Sequence, residues 1–430
     1  MSRTIRMTAT RSAEGVVLGA PPRRTERTAL LEADGALLLW DAVGADADAG
    51  SDAASSAAAP ASAEVDPDAG SLPAAIVWDV RRAAAWAWEI YGREVTAALL
   101  RVAEAEAEGS AEDDSISFVA EPGPSAEPAR LAARAAWARA WWPASALAAI
   151  PPLDPRLLAL EGGAALADIA HLLDDEDAGE RALAAALVAA ERLVPAPSGH
   201  GGVGNGADDE NVAGVAELVA RVREAADDLG IRADDARAEA HAAESLVSAG
   251  RGDYALAAGE AGTTSPGGGR GVVVASGTAG LDLAALAPST VDPAAEARWS
   301  IVRDGDGTTL GVFVDRAPAH PADPIAPEPL EAVFAGVRVR LVPARSVFAG
   351  SVPVPATILL TRPEQRTLEV CSPGYGPADA RAAAGRSAPP VDATALVDAV
   401  RRLLDRAHVR DAAPSGPAPL LAETDAALRA

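Results

Sequence analysis

The chain has 430 residues, room for two or three domains, and a formal net charge of −25 from 37 basic and 62 acidic residues. Every basic residue is arginine. The absence of lysine excludes the phosphate-loop lysine, the strand lysine of protein kinases, Schiff-base chemistry and the S-x-x-K acyl-enzymes. Of the 49% hydrophobic residues, alanine alone supplies 107, so the larger apolar side chains are few and the expected cores are thin.

The acidic excess sits in the middle: residues 44–270 hold 16 arginines against 39 carboxylates. Such a surface repels phosphate backbones and favours a partner with a basic surface, so nucleic acid is not an expected ligand. The single cysteine, Cys371, fits a reducing compartment. No apolar leader follows Met1, and the longest uncharged apolar stretch, 140–153, carries three prolines and is too short for a bilayer. The expectation is a cytoplasmic protein with no membrane contact.

In chain order, residues 1–43 read as strands, with Thr28–Glu32 and Ala36–Trp40 forming a hairpin across Asp34-Gly35. Residues 44–73, almost all Ala, Asp, Ser and Gly, read as a disordered acidic linker. A helical region spans 74–258, broken at 109–128, where a strand fragment at 116–119 is expected. Its first helix runs from Ile76 to about Glu108, burying Val77, Val80, Ala84, Trp88, Tyr91, Val95, Ala98 and Val102. Asp154-Pro155 predicts a helix start. Helices continue through 130–142, 156–161, 165–194, 212–229 and 233–249, as an antiparallel bundle with a Gly-rich loop at 195–211.

A Gly-rich linker at 259–271 leads to an α+β domain at 272–410, followed by a flexible tail at 411–430. That domain reads as hairpins at 299–314, across Asp304-Gly305-Asp306-Gly307, and at 357–371. A half-buried strand lies at 337–341 and a closing helix at 392–408. The expected fold class is α+β: an Ala-rich acidic helical bundle followed by an antiparallel-sheet domain with a closing helix, and an N-terminal β-hairpin.

Three constellations could carry chemistry or recognition. Ser276, Gly277, Thr278 and Gly280, between a Val-rich strand and an apolar run, could offer backbone N–H groups to an anion. Arg338 and Arg340, on one face of a strand, could clamp the same ligand. The commoner outcomes of these patterns are a plain turn and a solvated strand face. Asp168 with His171, and His241 with Glu244, are i, i+3 pairs that could face each other across a bundle as a metal centre. Solvated helix faces are their ordinary fate.

The eight tryptophans outnumber the four phenylalanines and three tyrosines. They serve either as anchors filling gaps between alanine helices or as contacts for a protein partner. Trp86, off the apolar stripe, leads the partner-binding candidates, with Trp137, Trp141 and Arg134. No complete catalytic constellation and no cofactor motif is present in the sequence pattern. The expected function is therefore a non-enzymatic adaptor or assembly component acting through another protein. An anion- or nucleotide-binding enzyme is the alternative, and a metal-binding bundle the third reading.

Overall fold

The computed structural model describes residues 4–44, 72–107, 115–193, 206–235, 237, 272–374, 391–408 and 418–429, apart from Glu14, Arg23, Glu176, Asp306, 323–326 and 363–364. The expected linkers at 44–73 and 259–271, and the second arm of the expected 212–249 helical hairpin, lie largely outside the described residues. In chain order the elements begin with β1 (Ile5–Ser12), β2 (Gly15–Leu18), β3 (Thr28–Ala33), β4 (Ala36–Asp41) and β5 (Ala74–Val77). Then come α1 (Val80–Trp86), α2 (Trp88–Tyr91), α3 (Glu94–Ala107), β6 (Ser115–Ala120), α4 (Ala126–Trp141), α5 (Pro155–Asp168), α6 (Ala178–Leu193) and α7 (Gly206–Asp228). There follow β7 (Val272–Ala279), β8 (Ala297–Asp304), β9 (Gly307–Asp315), β10 (Leu330–Phe334), β11 (Val337–Ala344), β12 (Val347–Pro353) and β13 (Leu368–Cys371). Two helices, α8 (Ala393–His408) and α9 (Leu421–Arg429), complete the series. The protein is α+β, and no described helix is long and apolar enough to cross a membrane.

The chain divides into two compact units, the first made of Met1–Arg139, Leu153–Ala243 and Arg402–Arg429, the second of Ala140–Pro152 and Glu244–Arg401. In the first, six strands form an antiparallel sheet in the order β3-β4-β5-β2-β1-β6. The Asp34-Gly35 hairpin forms as expected, with Ala33 opposite Ala36. The remainder of the N-terminal segment pairs with β5 and β6 rather than standing alone.

The long helix expected from Ile76 does not form as one piece. Ile76 and Val77 belong to β5, inserted between β4 and β2. Asp79 then caps α1, its carboxylate accepting the N–H groups of Arg81 (3.0 Å) and Arg82 (3.1 Å). Gly92, at φ +80°, ends α2, and α3 starts afresh with a new phase. Of the expected stripe, Val77, Tyr91, Val95, Ala98 and Val102 are buried, on three different elements, whereas Val80 and Ala84 are half-buried and Trp88 is exposed.

The helices α5, α6 and α7 share a core of Leu160, Ala164, Leu183, Ala186, Leu187, Leu218, Val219 and Val222. Asp154 and Pro155 open α5 as expected, with the Asp154 carboxylate accepting from Arg156 N at 2.9 Å. The last stretch is not a flexible tail: Leu420–Ala427 folds onto this unit, and Leu420, Ala422, Glu423 and Ala426 are fully buried.

Tyr91 is fully buried, and among the described residues its hydroxyl has no hydrogen-bond partner; burial pushes its pKa well above the ordinary tyrosine value. Removing an unsatisfied buried hydroxyl deletes a desolvation penalty and little else. Tyr91→Phe is therefore expected to hold or raise stability, by up to about 1 kcal/mol, read as a shift in the urea midpoint. A loss of that size would show that the hydroxyl has a partner.

In the second unit seven antiparallel strands run β13-β10-β11-β12-β9-β8-β7. The β8–β9 hairpin forms across Asp304 and Gly307 as expected. Strand β11 alternates as the sequence pattern implies, with Val339 and Leu341 inward and Arg338 and Arg340 outward. The expected strand at 357–361 is instead a 3-10 turn over Ala356–Leu360, entered from Pro355. Proline supplies no ladder donor there, and Arg366 pins the turn by donating to Leu359 O (2.8 Å) and Thr361 O (3.0 Å). The core of this unit gathers Trp299, Ile301, Val312, Phe334, Leu341 and Phe348, with the Trp299 and Phe334 rings 4.6 Å apart.

Candidate functional site

The densest group of side-chain contacts on the first unit surrounds the β3–β4 turn. Asp34 N donates to Leu172 O (2.8 Å), and Gly35 O accepts from Trp78 N and Asp79 N, both at 3.1 Å. The Asp34 carboxylate pairs with Arg82 (2.6 Å), which also reaches Asp174 (3.3 Å). The turn thereby ties together the start of α1 and the connection between α5 and α6.

Beside it, three successive carbonyls of α2 are taken by one loop. Glu89 O accepts from Ser125 N (3.0 Å), Ile90 O from Gly123 N (3.1 Å) and Tyr91 O from Glu121 N (3.0 Å). Gly123 is required by proximity: a Cβ there would lie 2.2 Å from Glu89 O and 2.8 Å from Trp88 O. The Glu89 carboxylate accepts from Ser125 Oγ (2.7 Å) and meets His171 Nε2 (3.0 Å), both through the same oxygen, Oε2. Burial opposes its charge, but the Ser125 and His171 bonds outweigh that and hold its carboxyl below the usual glutamate value. Serine and imidazole thus both serve the carboxylate. Ser125 gives its hydrogen bond to Glu89 rather than to His171.

Two tryptophans flank α1 at this surface: Trp78, just before it, is 47% exposed, and Trp88, just after it, is 45% exposed. The Trp88 indole is fixed by an Nε1 bond to Ala85 O at 3.1 Å. This reverses the expected assignment of the pair on the stripe. Trp86, expected to point outward, is 5% exposed and donates from Nε1 to Asp34 O at 2.8 Å. The interruption after Trp86 resets the helix phase, so the register read from one continuous helix fails there.

The other expected partner contacts are also placed differently. Trp137 is 3% exposed and donates to Glu26 O at 2.9 Å, and Arg134 is buried against Glu423 at 2.8 Å. Both are internal anchors rather than surface groups. Trp141 is exposed, as a contact residue would be.

The anion constellation is dispersed. Ser276, Gly277 and Thr278 lie within β7, not in a loop, and Gly280 follows the strand end. The Trp299 indole lies against Gly277, where a Cβ would come within 2.8 Å of the ring. Strands β8, β9 and β12 lie between β7 and β11 in the sheet order, so Ser276 and the Arg338–Arg340 face are not on neighbouring strands. Arg338 instead pairs with Glu331 at 2.6 Å, and Arg340 stands opposite Glu331 in the ladder.

The expected metal ligands are likewise committed. Asp168 pairs with Arg221 at 2.8 Å and His171 with Glu89, while His241 and Glu244 lie outside the described residues. Among the described residues no group of three or more His, Cys, Asp or Glu is placed to hold a metal ion.

The Glu89–Ser125–His171 trio escaped sequence reasoning because its members are 36 and 82 residues apart. Gly92, within the apparent stripe, was the one local signal of a helix end, and it marks the boundary between α2 and α3 rather than the break after Trp86. No protein family, curated protein or solved structure matches the chain.

Proposed function

We propose that the protein is a cytoplasmic adaptor or assembly component that binds another protein through the surface carrying Trp78 and Trp88. The observation that carries this reading is the pair of half-exposed tryptophans at the two ends of α1, set among the ion-paired Arg82 and Asp174 and the hydrogen-bonded Glu89 and His171. Tryptophan and arginine are the residues most enriched among those that dominate protein–protein binding energy. The Trp88 indole is held by its own hydrogen bond to Ala85 O, which lowers the ordering cost of association. The acidic excess across 44–270 fits a partner with a basic surface, steered by charge and seated by the aromatic anchors.

Trp88→Ala and Trp78→Ala remove exposed rings and leave the core intact, so both variants are expected to fold normally. A partner retained on the immobilised wild-type protein is expected to be lost from Trp88→Ala and kept by Trp141→Ala. With the purified pair, titration calorimetry should show an affinity loss of roughly 30-fold for Trp88→Ala, the effect of a dominant contact worth about 2 kcal/mol. Equal retention by wild type and Trp88→Ala, or retention by neither, would overturn the assignment.

A further inference from the structure

Helix α9 has nine residues, too few to be stable alone in water, so it exists by virtue of what it docks against. Its apolar contribution is small: Leu420, Ala422, Ala426 and Ala427 are buried, and Leu421 packs beside Val215 against the bundle core. Much of the remaining attachment is ionic and buried. The Glu161 carboxylate, from α5, accepts Leu421 N (2.6 Å) and Ala422 N (3.2 Å), acting as an N-terminal cap supplied by a different helix. Arg134, from α4, donates to Ala418 O (3.1 Å) and to Glu423 Oε2 (2.8 Å), and that oxygen also accepts Leu420 N (2.9 Å).

The charges here do not balance. Two buried carboxylates, Glu161 and Glu423, share the direct partner Arg134, while the neighbouring Arg130 bonds Glu127 at 2.8 Å and reaches Glu423 through its charge alone. Arg134 Nε and Glu423 Oε1 are buried with no hydrogen-bond partner among the described residues. The other charged groups near the helix are Arg156, drawn towards Asp154 and Asp425, and Arg429, paired with Asp425 at 2.6 Å. On α7 the turn against Leu421 is Asn211–Val215, which carries no charge, and Glu217 beyond it is exposed.

We propose that docking of α9 is coupled to proton uptake by the Glu161–Glu423 pair, so that the helix is a latch that closes more tightly as pH falls and loosens as it rises. Burial pushes Glu161 up to about 7; the Leu421 and Ala422 N–H bonds and Arg134 oppose the rise, and Glu423 adds to it. Burial raises Glu423 as well, against the pull of Arg134, the Leu420 N–H bond and the charge of Arg130. With α9 undocked, Glu161 meets water and returns to its ordinary value of 4.5. A carboxyl whose pKa is raised in the docked state favours docking fully below its undocked pKa and loses that contribution as pH climbs through the docked one. Between pH 8 and pH 6, Glu161 alone shifts the docking equilibrium about tenfold towards the closed form, and Glu423 acts in the same direction.

Hydrogen exchange of the α9 amides in the full chain tests this, with rates at pH 6 and pH 8 corrected for intrinsic exchange. Protection over 421–427 is expected to be about tenfold higher at pH 6, with β9 of the second unit unchanged. Glu161→Gln should shrink the difference to what Glu423 supplies, and Glu161→Gln with Glu423→Gln should abolish it. Equal protection of α9 at both pH values in the wild type would overturn the proposal, whether or not the variants fold. So would a full tenfold difference surviving in Glu161→Gln.

Discussion

Arg134→Met is expected to destabilise the first unit by about 3–5 kcal/mol, the cost of removing one partner from a buried ion pair. The substitution preserves the aliphatic volume of the side chain while leaving the Glu423 carboxylate, which is fully buried, without its salt-bridge partner. The neutral partner Ala418 O loses its donor at the same time. Replacing both charges, as Arg134→Met with Glu423→Leu, should recover most of the loss, because an apolar pair in the same space has no charge to desolvate. What stays lost are the Leu420 N–H bond to Glu423 and the Arg134 bond to Ala418 O. Urea midpoints of the two variants decide it. A single-variant loss below about 1 kcal/mol would mean that Glu423 finds another partner or water. The loss should also be smaller at pH 5 than at pH 8, because an unpaired Glu423 can take up a proton instead of remaining charged.

The second large effect belongs to Asp292 in the other unit. Its carboxylate accepts from Ser145 Oγ (2.6 Å), Ala294 N (3.0 Å), Ala146 N (2.9 Å) and Leu147 N (3.2 Å). Its backbone joins the sheet through Asp315 O at 3.0 Å. One side chain therefore fastens the 145–150 turn to the β-sheet domain. Asp292→Ala strips four donors at once and should cost about 4 kcal/mol, given 1–3 kcal/mol for each buried group left unsatisfied and partial rescue by water. Asp292→Asn keeps one acceptor but turns an amide N–H₂ towards donors, so it should fall between wild type and alanine. Thermal melts rank the three. An alanine variant as stable as wild type would show that the turn needs no anchor.

These residues also mark where sequence reasoning stops. The Asp34-Gly35 turn, the Asp154-Pro155 helix start and the alternation at Val337–Leu341 were all legible, since each is a local signal whose cause lies within a few residues. The α+β class followed from them. Asp292 and Glu161 were not legible, because their partners lie about 147 and 260 residues away and nothing in their neighbours' chemistry announces them. The tryptophans fell between these cases. Trp86 and Trp88 exchanged their expected roles because a stripe rich in alanine tolerates a break without any visible change of composition. Aromatic content located the candidate surface, and only the backbone decided which rings reach it.

The ion pair between Arg134 and Glu423 has a consequence for synthesis. The two residues are 289 positions apart, and the whole of the second unit is made between them. Domains fold as they emerge, earlier ones first, so the sheet and α4 to α7 can assemble while Arg134 still lacks its ion-pair partner and has only the charge of Glu161 nearby. A nascent chain thus passes through a long interval in which its first unit is nearly built yet retains a cation without its salt-bridge partner and an open seat for α9. Translation that stops anywhere in the second unit leaves the product in that condition. Arrival of Glu423 is the event that ends it, so the pair works as a mark of completion written into the order of the chain.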